Sequence, residues 1–398
     1  MSEWKKVKLG DVCEITSSKR IFMSDYVDQG IPFYRSKEIA ELQNGDSIST
    51  PFFISKEKYE DIKAKYGIPQ KGDLLLTAIG ATLGIPFVIK DNSPFYFKDG
   101  NLIWFKCFDE NYDSSFLYYW MMTDFGYQSM LNVAIGSAQK ALTISALKGL
   151  EITFPSVTIQ HRIATILSRY NSLIENYQKQ IKLLEEAAQR LYKEWFVDLH
   201  FPGHENTKIV NGVPEGWEKK RLVDFVNVIM GQSPKSDYYN NENKGLPFHQ
   251  GVGSYGNRFV IDNTYSTSFT RIAEPNSVLF SVRAPVGRLN ITKNKIVIGR
   301  GLAAMKHIDG YQGFLFYMLK ERFFKDNIIG NGAIFASISK DELLNLEFLI
   351  PSNNLTQKFN AIAGNIDEEI MKIDDQIRLL TEARDRLLPK LMSGEIAV

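Results

Sequence analysis

Cysteine is nearly absent: Cys13 and Cys107 are the only two in 398 residues, too few for a disulfide framework or a Cys-rich zinc site. Such usage suits a reducing compartment. Histidine is almost as scarce. His200 and His204 stand in a Pro- and Gly-bearing stretch with no third ligand near, and His161 sits on the polar side of a helical pattern, so no metal constellation is expected. Long apolar runs are missing too. The longest, 74–89, is broken by Thr, Gly and Pro and is too short to cross a bilayer. The opening "MSEWKKVKLG" lacks the apolar core of a secretory signal, so the expectation is a soluble, cytoplasmic chain with no membrane role. Charge of one sign is not in excess either, the net being +1. Residues 1–150 hold 17 basic and 18 acidic side chains, against 13 and 8 in 215–310, so only the second segment has a bias suited to phosphates.

Catalytic signatures are equally wanting. No G-x-x-x-x-G-K-[ST] phosphate loop occurs, and "GVGSYG" (251–256) runs into Asn257-Arg258-Phe259 without a helix opening, which reads as a flexible loop and not as a dinucleotide site. No Asn-Pro-Pro-aromatic motif and no glycine-rich loop for a methyl donor is found. The expectation is a binding protein, not an enzyme, with no cofactor and no metal of its own.

What the chain has is a repeat. "QIKLLEEAAQRLYKEW" (180–195) returns as "QIRLLTEARDRLLPKL" (376–391), an offset of 196 residues. At that offset Ile163, Ile166, Tyr170, Ile174, Tyr177, Ile181 and Leu184 fall on Phe359, Ile362, Ile366, Ile370, Ile373, Ile377 and Leu380 without a gap. Steps of three and four place each set on one stripe of a helix, with Glu, Gln, Lys and Arg on the other faces. The patterns predict helices over 157–196 and 353–388, the second stopped by Pro389, which disfavours helix in the residue before it. Two amphipathic helices could each cover their own domain. Persistence of the stripes over about five heptads favours instead their pairing with each other as a coiled coil.

Fainter echoes precede each helix. "WKKVKLGDV" (4–12) matches "WEKKRLVDF" (217–225), "GDLLLTAIGATLG" (72–84) resembles "NSVLFSVRAPVG" (276–287), and "ISALKGLEITFP" (144–155) resembles "ISKDELLNLEFLIP" (338–351). Short β-rich runs mix with helical patterns over 114–131 and 311–327, so each globular unit is α+β, a small twisted mixed sheet with short helices. The expected plan is a globular domain over 1–154, a long helix over 155–198 and a linker over 199–216. A second domain over 217–350 and a second long helix over 351–398 complete it. Antiparallel pairing of the helices would give a pseudo-twofold arrangement. A helix of ~35 residues is ~50 Å long, which spans ~15 base pairs of duplex.

Polar groups in the loops are the candidate contacts. "PFYRSKEI" (32–39) offers Arg35, Ser36 and Lys37, and "PFHQGVGS" (247–254) offers His249 and Gln250, whose donor–acceptor pairs suit base edges. Thr77 and Ser281 end two apolar strands. Arg283 and Arg288 flank a Pro-Gly turn, Arg300 stands between two glycines, and Ser137, Gln139 and Lys140 belong to the small polar loop 136–145. Each arginine could bond a guanine or a phosphate, or remain solvated.

With these residues in place, the chain resembles the specificity subunit of type I restriction–modification enzymes over essentially its full length. The motifs are Gly231-Gln232-Ser233-Pro234, Gly245-Leu246-Pro247-Phe248 with Gln250-Gly251, Ser281 to Gly287, and Gly299-Arg300-Gly301-Leu302-Ala303-Ala304. Gly136 to Lys140 and the phrase "EEAAQRLYKEWF" add to them. The first unit departs, with "TAIGATLG" where the second has the SVRAPVG run, and the second lacks a counterpart of Gln139 around 330–337. The resemblance implies two target-recognition domains, each reading one part of a split, asymmetric site in double-stranded DNA. It implies helices that set the spacing and dock two methyltransferase (modification) subunits, which use S-adenosylmethionine, with restriction subunits adding ATP-driven translocation and cleavage. Two rivals stay open: a recognition subunit whose partner combines methylase and nuclease, and a coiled-coil scaffold that never binds DNA.

Overall fold

A computed structural model of the chain describes residues 4–45, 48–137, 139–323 and 337–398. It divides into two compact units, Met1–Lys179 with Asp374–Val398, and Gln180–Ile373. The division falls inside both long helices, Val157–Phe196 and Asn353–Met392, so each unit owns a stretch of each. This differs from a plan in which the helices stand as segments of their own. The cause is packing, since each stretch contributes to the core of its unit.

The first unit is opened and closed by one antiparallel pair, Lys5–Lys8 with Glu151–Phe154, Lys5 standing opposite Phe154. Between them lie two four-stranded sheets. One has the order Glu14–Thr16, Leu102–Lys106, Leu74–Thr77, Pro86–Val88; the other runs Tyr26–Val27, Phe53–Ile54, Ile31–Tyr34, Tyr96–Phe97. In the first of these, alternation decides the packing. Leu74 and Leu76 join one core cluster with Ile103 and Phe105, whereas Leu75 joins another with Leu102 and Trp104, so both faces are covered. Helices Ser114–Met122 and Asp124–Val133 start on side-chain caps, Asp113 and Thr123, and Phe116 to Met121 are buried in the first cluster.

The second unit repeats the plan in the same register. Glu218–Arg221 pairs with Glu347–Ile350, Glu218 opposite Ile350. A four-stranded sheet follows the order Val226–Met230, Leu302–His307, Val278–Ser281, Leu289–Ile291, beside a five-stranded one. Among the described residues each unit holds one parallel pair of strands, with Phe33 opposite Tyr96 in the first and Phe248 opposite Val297 in the second. The faint sequence echoes therefore mark one topology used twice.

Within each unit the two helix stretches run antiparallel. In the first, Ile163 and Leu167 share a core with Leu388, Leu391 and Met392, and Arg384 Nη1 donates to Asn171 Oδ1 at 2.9 Å. In the second, the rings of Tyr192 and Trp195 lie 5.6 and 6.0 Å from Phe359. Ile163, Ile174, Ile181, Phe359, Ile370 and Ile373 are buried, while Ile166, Tyr170, Tyr177, Leu184, Ile366, Ile377 and Leu380 are half-buried. Ile362 departs from the expected stripe and is exposed, Ala363 being buried in its place. At about 100° per residue, Ala363 lies ~40° from Phe359 and Ile362 ~60° on the other side. Gly313 of the helix Gln312–Phe323 packs against Ala363, and a Cβ on Gly313 would approach the Ala363 Cβ to 2.9 Å.

One further expectation is corrected. The last helix does not stop at Leu388 but continues through Pro389 to Met392. Leu391 and Met392 are buried in the core of the first unit, and that burial outweighs the proline penalty. The stretch 199–216, expected as a linker, carries a short hairpin, Ile209–Val210 with Val213–Pro214. Buried Phe201 lies 5.5 Å from the ring of Trp217, which anchors the stretch to the second unit. No described helix is long and apolar enough to cross a membrane.

Candidate nucleic-acid interface

Strand directions gather the functional loops of each unit at one end of its sheets. In the second unit, strands ending at Met230, His249, Ser281 and Ile298 release their chains there, and backbone hydrogen bonds knit the loops together. Gly231 N donates to Leu302 O, Gly299 N to His249 O, Gly301 N to Gln250 O and Val282 N to Gly301 O, all at 2.8–3.1 Å. Such crowding explains the glycines at two positions. A Cβ on Gly299 would come within 2.8 Å of Gln250 Oε1, and one on Gly301 within 2.6 Å of Gln250 O.

Arg300 is thereby seated beside Gln250. Its backbone N donates to Ser233 Oγ at 3.2 Å, and Ser233 Oγ donates to Gln250 Oε1 at 2.8 Å. Both side chains are exposed, as is that of Arg283, which follows the strand end at Ser281 and pairs through its backbone with Ser337. Burial raises the phenol pKa of Tyr239, and the nearby charge of Arg300 opposes that rise. Sequence reading missed Arg271, an exposed residue whose backbone O accepts from Ile298 N at 2.9 Å. Its position follows from the antiparallel pairing of Ile272 with Val297, a long-range contact without local sequence signal. Arg271, Arg283 and Arg300 have no side-chain hydrogen-bond or ion-pair partner among the described residues.

Other candidates of this unit point inward. His249 is buried, with Nε2 2.9 Å from Asp262 Oδ1, because a β-strand sends Gln250, the next residue, to the opposite side. Ser281 is buried and closes its turn, donating to Pro285 O at 2.6 Å and accepting from Arg288 N at 2.8 Å. Arg288 is half-buried. The "GVGSYG" segment forms a short 3-10 turn, Val252–Ser254, and a Tyr255–Val260 bridge, with no helix after it.

The first unit builds the equivalent end differently. Thr77 fills the role of Ser281: its fully buried hydroxyl donates to Thr82 O and accepts from Ile85 N at 2.8 Å. Arg35 is engaged inside the domain. Its Nη2 lies 2.7 Å from Glu38 Oε1, Nε and backbone N both donate to Glu38 Oε2, and the guanidinium stacks 4.0 Å from the centre of the Phe52 ring. Burial alone would raise the Glu38 pKa, but the bonds and charge of Arg35 prevail and hold it below the usual carboxylate value. Ser36 is buried and donates to Asn101 O at 3.1 Å. Lys37 is exposed, with Nζ 3.8 Å from Glu41 Oε1. Arg20 Nε donates to Asp99 Oδ2 at 3.1 Å.

A hairpin remains open to a ligand. Ile135 and Ala141 exchange backbone hydrogen bonds at 2.9 and 2.8 Å, and Ala141 also bridges Ile79 at the end of the central strand. Ser137, Gln139 and Lys140 stand exposed at its tip, where Gly136 takes φ +98°; Ala138 lies outside the described residues, as does most of the 330–337 segment.

The repeated topology agrees with comparison to known proteins. A family model described as the type I restriction modification DNA specificity domain matches residues 1–186 and 214–379. The type I restriction enzyme MjaIX specificity subunit of Methanocaldococcus jannaschii is 28% identical over all of this chain and 94% of its own length. The type I restriction enzyme HindI specificity subunit of Haemophilus influenzae is 21% identical over the whole of both chains. In fold, a type I restriction–modification S subunit from M. genitalium superposes with a TM-score of 0.62 at 17% identity, covering 98% of this chain and 96% of that one. With the family model covering both halves of the repeat, the chain belongs to the type I restriction–modification DNA specificity family.

Proposed function

We propose that this chain is the sequence-recognition subunit of a cytoplasmic type I restriction–modification complex. Each unit reads one half of a split, asymmetric site in double-stranded DNA through the loop face at its sheet ends. The observation that carries this reading is the pair of loop faces, one per family match, with Gln139 and Lys140 exposed on the first and Gln250, Arg283 and Arg300 on the second. Amide and guanidinium groups on rigid strand ends suit base edges and phosphates. The chain supplies recognition, while methyl transfer, translocation and cleavage belong to two methyltransferase subunits and to restriction subunits docked on it. The paired helices serve as the spacer between half-sites.

Domain exchange tests the proposal. Residues 217–350 are replaced by the corresponding part of a relative, and bound sites are selected from random duplexes in the presence of the co-purifying partner subunits. One half of the selected motif should change and the other should persist. Changes in both halves would contradict one domain per half-site, and a wild-type assembly that enriches no motif would leave a protein-binding scaffold as the reading.

A further inference from the structure

The two faces differ in their arginines. Residues 1–150 contain two, Arg20 and Arg35, and both are bonded to carboxylates, Arg20 to Asp99 at the surface and Arg35 to the buried Glu38. The second face carries Arg271, Arg283 and Arg300, all exposed and without a side-chain partner among the described residues. Their order across the sheet ends follows from the pairing. Gln250 and Arg300 extend the parallel strands Leu246–His249 and Ile296–Ile298, Arg271 stands on the antiparallel neighbour Ile272–Ala273, and Arg283 follows Val278–Ser281. Arg271 thus neighbours Arg300 on the five-stranded sheet, and Arg283 comes from the four-stranded one, tied in where Val282 N donates to Gly301 O at 2.9 Å.

Guanine presents two acceptors, O6 and N7, in the major groove, and the arginine fork matches both, whereas a glutamine amide matches adenine. Arg300 is the arginine seated beside the exposed amide of Gln250, through Ser233 on one side and the glycine-permitted contacts with Gln250 on the other, whereas the backbones of Arg271 and Arg283 are held by Ile298 and Ser337. We infer that Arg300 reads a guanine in the half-site of the second domain, that Arg271 and Arg283 bond the flanking phosphates, and that the first domain reads its half-site without arginine. The inference rests on the proposed DNA recognition and adds which base class each domain takes.

The test uses the full-length chain with its co-purifying subunits and the motif selected from random duplexes. Arg300→Ala should relax discrimination at one guanine of the second half-site by about five- to 150-fold. Placing 7-deazaguanine there, which lacks the N7 acceptor, should weaken the wild type and leave Arg300→Ala unaffected. Arg271→Ala and Arg283→Ala should weaken every duplex alike and each lower the slope of log affinity against log salt by about 1. Should Arg300→Ala shift the thermal unfolding midpoint, Arg300→Lys replaces it; the charge then stays, the fork is lost, and discrimination should still fall. A second half-site without guanine, or equal weakening of all duplexes by either Arg300 variant, overturns the inference while leaving DNA recognition standing. A wild type that selects no motif overturns both.

Discussion

Residue by residue, the faces are sorted by whether a side chain already has a partner inside its own unit. Arg35 shows the consequence. Glu38 is wholly buried, and its carboxylate is neutralised by a guanidinium that is 31% exposed. Removing that guanidinium strands a charge, a loss of about 3–5 kcal/mol for a buried pair. The half-exposed position of Arg35 sets the expectation for Arg35→Ala near the lower figure, read as a fall in urea midpoint. Glu38→Gln tests the same contact through pH. The Glu38 pKa is depressed in the folded chain, so its stabilisation is complete above the unfolded carboxylate value and fades as pH falls through the folded one. The wild type should lose stability over that window and Glu38→Gln should not; parallel acid profiles would remove Glu38 from the account. Arg35, Ser36, Thr77, His249 and Ser281 were legible as residues near strand ends, but not as inward-pointing ones. Whether a polar residue faces the ligand or closes a turn depends on pleat, on local caps such as Glu38 at i+3 from Arg35, and on distant partners such as Asp262, which sequence alone does not bring near.

Among the elements, the long helices were the most legible, because a three-and-four-residue apolar rhythm states both their existence and their buried stripe. Three of their four ends were legible too, Val157, Phe196 and Asn353 standing where the pattern puts them, but the last end and the fastenings were not. Pro389 sits inside a helix whose last turn is held by Leu391 and Met392, so Pro389→Ala should restore a main-chain bond and raise stability by up to about 3 kcal/mol. An unchanged thermal midpoint would mean that core packing alone fixes that turn. In the second unit, Arg258 from the turn before Phe259 is 2% exposed and fastens the domain to both helix stretches. Its Nη1 lies 3.3 Å from Glu185 Oε1, Nη2 bonds Asp367, and the guanidinium stacks 3.7 Å from the Phe316 ring centre. Tyr317 Oη donates to Asp367 Oδ1 at 3.2 Å. The first unit has a counterpart at the repeat offset, Asn171 standing where Asp367 stands, with its Nδ2 3.1 Å from Tyr119 Oη. There the guanidinium comes from Arg384 on the last helix, so the repeat keeps the polar contact while changing the element that supplies the charge. Arg258→Ala leaves Glu185 with Lys320 at 3.9 Å and Asp367 with the Tyr317 hydroxyl alone, and should cost about 3 kcal/mol; a loss below ~1 kcal/mol would show the fastening to be apolar instead.

For the whole molecule, the repeat at 196 residues is legible because insertion-free helices preserve register, and it predicts two like units in the order observed. The division between units falls after Lys179 and before Asp374, inside the paired stripes, where no turn residue marks it. That location makes the proposed spacer role testable without disturbing either unit. Adding heptads at 179/180 and at 373/374 together lengthens both helices while each unit keeps its own packing. Three heptads in each helix add ~32 Å, close to the 34–36 Å of one duplex turn. A second half-site displaced by ~9–10 base pairs then stays on the same side of the DNA, and sites with the gap lengthened by that amount should be selected. One heptad adds only ~10 Å, about a third of a duplex turn, so the second face would meet the groove out of phase and affinity for every gap should fall. Selection of bound duplexes with variable gaps distinguishes these outcomes. If the three-heptad variant still prefers the original gap, the helices do not set the distance between half-sites, because 32 Å of added rod would then have no counterpart on the DNA.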